Sequence, residues 1–237
     1  MTTFKFTLVL VLISFSCFCQ KSFDYHKDFA KLLSESSKPK SEFDYNRLLE
    51  RFLENDTSLN EYEIIALQIG HTNTKYFDPY MDIEIERAIY SLSGSGKHRA
   101  SLELADSYQK RNPLSLMLNL EKSYSFHKKG NQDSSIIYYN RYLMLVNADI
   151  WSGNGHDKPY FVLGPIDGQV IIERFWQGEI IQMGSAFDKH DYFLDVLTMK
   201  DKKTKEETTL KFIIEHASNE MFSEEEKMQL KVKKVEK

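Results

Sequence analysis

Cysteine is nearly absent: the chain has two, Cys17 and Cys19, both within its opening twenty residues. One residue apart, they are too close along the chain for a sound disulfide, so no cross-linked scaffold is available. Tryptophan is as scarce, with two, and the five prolines and ten glycines in 237 residues exclude collagen-like and low-complexity chains. An excess of one charge is also missing, since 31 basic side chains face 35 acidic ones for a net charge of −4. No basic stripe stands out, which argues against a nucleic-acid partner. The richest basic run, "KDKKTKEE" (200–207), is answered by its own acids and reads as a solvated turn.

Long apolar runs are confined to the opening. "MTTFKFTLVLVLISFSCFCQ" places Lys5 before an apolar stretch from Phe6 to Phe15, then small residues and polar sequence from Gln20. That order is a secretory leader's, and the stretch is well short of the about 20 residues that cross a bilayer. Residues 1–19 are therefore expected to be a signal peptide, leaving a mature chain without thiols or a transmembrane helix. A lipid anchor at Cys17 is the minor alternative, with Ser16 fitting a lipoprotein signal and Ser14 standing where an aliphatic belongs. The expected location is the periplasm or the extracellular space.

From 23 to 150 the chain shows the period of amphipathic helices. Phe29, Leu32 and Leu33 share one face, as do Phe43, Leu48, Leu49, Phe52 and Leu53. In "TSLNEYEIIALQIG", Ser58 is the expected N-cap, Glu61 its reciprocal partner and Gly70 the stop. A shift of 34 residues then aligns Pro79 with Pro113, Tyr90 with Tyr124, Gly96 with Gly130, Ser101 with Ser135 and Tyr108 with Tyr142. That period, with Pro opening a first helix and Gly in the turn, is the tetratricopeptide layout. Such pairs leave an apolar face that neighbours must cover. The aromatic run "IIYYNRYLMLVNADIW" sets Tyr138, Tyr142 and Leu145 on one face and reads as a buried helix, with a peptide groove as the alternative.

After the Gly-rich loop "SGNGHDKP" (152–159), short β-branched and aromatic runs follow: "PYFVLG", "GQVIIERFW", "EIIQMG", "DYFLDVLTMK" and "TTLKFIIEHA". They predict a small antiparallel β domain over 158–218, although "VIIERFW" is short enough to be helical instead. Residues 219–237 read as a charged, frayed tail. The fold class is thus α+β, tetratricopeptide-like hairpins followed by a small antiparallel sheet.

The order "ENDTSLNEYEIIALQIG", "YFDPY" and "SGNGHDKPYFV" resembles the exported bacterial family termed domain of unknown function 4919, over about residues 40 to 215. The shared features are Asn55-Asp56-Thr57, Pro79-Tyr80 and the loop 152–155. The resemblance implies an envelope protein and supplies no activity. Asn154 stands where the family pattern has Asp, which weakens a cation-binding loop.

Chemistry is sparse. "GSGKH" (94–98) lacks the earlier glycine and the hydroxyl of a phosphate loop and reads as a turn between helices. The seven histidines show no metal spacing, so no metal or cofactor is expected. Two clusters remain, His156 with Asp157 in "GNGHD" and Asp188 with His190 and Asp191 in "DKHD". Brought together they could serve a hydrolase or a metal-dependent enzyme; turn chemistry also explains them. The leading expectation is an exported interaction or scaffolding module that meets a protein or peptide through its helices. A small-molecule or glycan binder, with Trp151 and Trp176 at one pocket, is the third reading.

Overall fold

The computed structural model describes residues 22–223 and 225–226. The expected leader, the alternative Cys17 anchor site and most of the expected tail lie outside the described residues. Seven helices come first: α1 (Tyr25–Ser36), α2 (Tyr45–Leu53), α3 (Glu61–His71), α4 (Pro79–Gly94), α5 (His98–Gln109), α6 (Leu116–Lys128) and α7 (Gln132–Trp151). Then come β1 (Tyr160–Phe161) and α8 (Asp167–Val170), which runs into a π-helical turn (Ile171–Phe175). Strands β2 (Glu179–Phe187), β3 (Phe193–Lys200) and β4 (Glu207–Ile213) precede α9 (Glu215–Met221). The fold is α+β. Among the described residues no helix is long and apolar enough to cross a membrane.

α3 is apolar around most of its circumference and accordingly central, with Ile65, Ala66, Leu67 and Ile69 sealed from solvent. Its start differs from the expected one. Asn60 caps it, reciprocally bonded to Glu63, while the Ser58 hydroxyl donates to Asp56. Gly70 does not stop the helix, which runs on to His71. It permits close packing instead: a Cβ there would stand 3.0 Å from both Ser36 Cβ and Tyr45 Cδ2.

α4–α5 and α6–α7 are helical hairpins with matched turns, Gly96 at φ +77° and Gly130 at φ +76°. Their helix crossings match as well. The Ser101 hydroxyl donates to the Ile89 carbonyl at 3.2 Å, and Ser135 meets Ser123 at 3.3 Å, each residue 34 positions from its counterpart. The prolines do not match: Pro79 is the first residue of α4, whereas Pro113 precedes the Ser115 cap of α6. "GSGKH" is the α4–α5 turn. In α7, Tyr142, Leu145 and Val146 are buried, as expected of a core helix, and Tyr139 is exposed.

The sheet order is β1-β4-β3-β2. β2, β3 and β4 form the expected antiparallel meander, and the two-residue β1 joins β4 in parallel. "VIIERFW" is helical, taken up by α8 and the π turn, with Ile171 and Ile172 buried. One core runs from Leu32 and Ile65 through Val146 and Phe161 to Leu197 and Phe212, so helices and sheet bury their apolar faces against each other.

Candidate functional site

A cleft of about 560 Å³ opens where the start of α1, the 152–159 loop and the sheet meet. Each wall is fixed by local bonds. Asp24 caps α1, its side chain accepting from the His26 amide, which places His26 in the first turn. In the β2–β3 connection, Asp188 accepts from the backbone amides of His190 at 2.7 Å and Tyr192 at 3.0 Å, while Asp191 takes the left-handed corner at φ +65°. The other Asp188 oxygen lies 2.9 Å from His26 Nε2. The His26 ring stacks on Tyr192 at 4.8 Å and meets the His190 ring at 4.0 Å.

Asn154 organises the third wall. Its Oδ1 accepts from the amides of His156 and Lys158, and its Nδ2 donates to Asp157 at 2.7 Å. A carboxylate could accept those two bonds but could not give the third. Gly155, at φ +75°, ties the loop to β4 by accepting from the Lys211 amide at 2.8 Å; a Cβ there would stand 2.6 Å from the Tyr160 ring.

The fold therefore brings both His/Asp clusters to one place. His156 and Asp157 line the cleft, and the second loop contributes Asp188 and Lys189 to its wall. His190 joins through its ring contact with His26, and Asp191 shapes the turn. Sequence reading named Asp188 within its cluster and missed its partner His26. No pattern announces the pair, because it is assembled from opposite ends of the chain. Among the described residues no group of three or more His, Cys, Asp or Glu is placed to hold a metal ion. The two tryptophans go to separate partners, Trp151 edge-on to Tyr62 and Trp176 tilted on Tyr160. The floor is apolar, with Phe23, Leu194 and Ile213.

A second constellation is closed. Asp82 and Glu86 of α4 face Asp167 of α8 across a void of about 10 Å³, room for one water. Tyr108 donates to Glu86 at 3.1 Å, Asn112 to Asp82 at 3.1 Å, and the Gly164 amide to Asp167 at 2.8 Å. Burial, reinforced by the neighbouring acids, pushes Asp82 up to about 6, Asp167 up to about 7 and Glu86 well above the usual carboxylate range. Asp149, sealed nearby and bonded to Gln68 at 2.9 Å, is raised for the same reason. Two histidines are buried neutral: desolvation pushes His71 and His216 down to about 4, with Tyr45 and Tyr25 hydroxyls beside their Nδ1 atoms.

The chain matches the family described as "Domain of unknown function (DUF4919)" over residues 33–222. It belongs to that family. The family span takes in α2 to α9, including both the closed acid knot and the 152–159 and 188–192 loops of the cleft. No curated protein and no solved structure matches the chain.

Proposed function

We propose that this DUF4919 protein is an exported binding module whose cleft holds a small molecule with an anionic head and an apolar body. Export is supported by the leader signature of residues 1–19, and binding by the distribution of partners in the cleft. Lys158, Lys189 and Lys211 line it, and none has an ion pair among the described residues. Its three carboxylates are already engaged: Asp24 with Lys27 at 3.0 Å, Asp157 with Asn154, and Asp188 with His26. Cations without partners above an apolar floor favour an acyl or aryl carboxylate over a neutral or cationic ligand. The cleft's size is in the range of small-molecule sites, roughly 300–1,000 Å³.

The test is thermal unfolding with dodecanoate against dodecanol as probes. A saturating carboxylate should raise Tm by about 5–10 °C, as expected for about 100-fold excess over Kd. The alcohol should not, and Lys211→Met should remove most of the shift. Equal shifts from acid and alcohol, or none from either, would overturn the reading. Two further readings each have one supporting observation. The 2.9 Å His26–Asp188 pair could orient a general base for hydrolysis. Exposed Tyr124, Ile136 and Tyr139 on the α6–α7 hairpin could meet a protein or peptide.

A further inference from the structure

A groove of about 720 Å³ is bounded by α2, the α3–α4 connection and the end of α5, and shares no lining residue with the cleft. One wall follows from how α2 packs. Leu48 and Phe52 are sealed in the core, while Tyr45, Leu49 and Leu53 stand at four-residue steps in a second row beside them. That row spans about 12 Å at 1.5 Å per residue, the reach of about four extended residues. Leu53 is 37% exposed and Tyr76, which also lines the groove, 41%. The Tyr45 hydroxyl lies 3.1 Å from His71 Nδ1, which fixes the upper end of the row.

The remaining lining is cationic. Lys75 and Lys110 are exposed and have no ion pair among the described residues; the Lys75 ammonium lies 5.0 Å over the Tyr76 ring. Arg111 makes no side-chain hydrogen bond among those residues, and its one ion pair, to Asp78, is 3.9 Å long. The groove's own acid is neutralised from behind. Asp106 meets the Lys122 ammonium at 2.5 Å, and that lysine is only 2% exposed, with Gln109 as its second acceptor at 2.6 Å. Lys75, Lys110, Arg111 and Lys122 thus stand against Asp78 and Asp106, on a chain whose net charge is −4. Positive charge is gathered at one place of an acidic protein, beside an apolar row that the fold leaves uncovered. A surface of that kind complements an acidic partner with apolar side chains. Its small surplus of cations suits a few carboxylates better than a phosphate ladder, which takes many basic contacts.

We propose that this groove docks an acidic peptide segment. Its carboxylates meet Lys75, Lys110 and the forked guanidinium of Arg111, and an apolar side chain sits among Leu49, Leu53 and Tyr76. The test is fluorescence anisotropy of the full chain with two labelled octapeptides, Glu-Glu-Phe-Glu-Glu-Leu-Glu-Glu and the same peptide with every glutamate replaced by glutamine. The acidic peptide should bind at least tenfold more tightly than the amide one and weaken as sodium chloride is raised. Lys75→Glu/Lys110→Glu, which breaks no ion pair, should weaken it at least tenfold and Tyr76→Ala about threefold. Lys129→Glu/Lys203→Glu, an equal change of net charge at exposed lysines outside the groove, should leave it as it was. Equal binding of the two peptides, equal losses in the two lysine pairs, or no binding of the acidic peptide at millimolar protein would overturn the proposal. So would an eight-nucleotide thymidine oligomer that binds as tightly as the acidic peptide, since the groove would then be a nucleic-acid site.

Discussion

Two polar constellations lie where the helices meet the sheet region, and the same residue types behave oppositely in them. In the cleft, His26, His156, Asp157 and Asp188 border about 560 Å³ of open space, and Asp157 and Asp188 have donors within hydrogen-bond reach. In the closed knot, Asp82, Glu86 and Asp167 are each at least 93% buried around space for one water. Desolvation dominates there: it penalises charge by more than the few donors recover, so the knot stores protons. A dry acid cluster has little room to bind anything, whereas a wet, apolar-floored cleft with idle lysines does. The contrast separates where this fold places stability from where it places recognition.

The largest effect should come from a core ring packed behind the cleft. Phe161 is fully buried and touches Phe23, Tyr25 and His216. Phe161→Ala should lose about 3–5 kcal/mol in urea titration, with helical and aromatic signals collapsing together. Sheet signals lost alone would show the two halves to be energetically separate.

The next is a matter of pH. The acids hold protons in the folded protein that the unfolded chain has lost, so their contribution is complete below about pH 4 and disappears as pH rises through about 6 and 7. His71 and His216 have the opposite sign: their contribution is complete above about 6.5 and is lost as pH falls toward about 4. The two trends offset each other between pH 4 and 7. Asp167→Asn, which keeps an acceptor for the Gly164 amide, should stabilise by about 1–3 kcal/mol at pH 8 and by almost nothing at pH 4. Its remaining profile should keep the histidine limb and a smaller acid limb from Asp82, Glu86 and Asp149. A variant no more stable than the parent at pH 8 would mean that burial does not penalise the Asp167 charge.

The smallest stability effect belongs to the cleft. Asp188→Asn should cost under about 1 kcal/mol, because the pair it breaks is partly solvated. It should nonetheless tighten dodecanoate binding about three- to tenfold by removing a negative charge. Under the hydrolytic reading the same change would instead depress turnover, so one variant sharpens the contrast between recognition and catalysis.

How much of this was legible in the sequence depended on range. The α4–α5 and α6–α7 turns were readable because Gly96 and Gly130 answer a purely local demand for positive φ. The family was readable from punctuation such as Pro79-Tyr80 and the 152–155 loop. The start of α3 was misread because two cap registers overlap, Ser58 with Glu61 and Asn60 with Glu63, and the choice falls to Asp56, which engages Ser58. Gly70 was misread because tight packing and helix stops favour the same residue. The cleft's His156 and Asp157 were named, but the histidine partnered by Asp188 sits in α1, and nothing local links them. Asp82 and Glu86 were overlooked because acids four apart on a helix ordinarily face water.

One consequence follows from the contacts of α1. Its Tyr25 hydroxyl meets His216 and its His26 pairs with Asp188, so the earliest folded segment is completed by the latest. At ordinary ribosomal speeds of about 5–20 residues per second, that wait lasts roughly ten to forty seconds. Throughout it the first turn of the newborn helix lacks its native cover, although its far end already packs on α3. Such a chain would need escorting, either by a holding chaperone or by passage unfolded to wherever its last strands can catch up with its first turn.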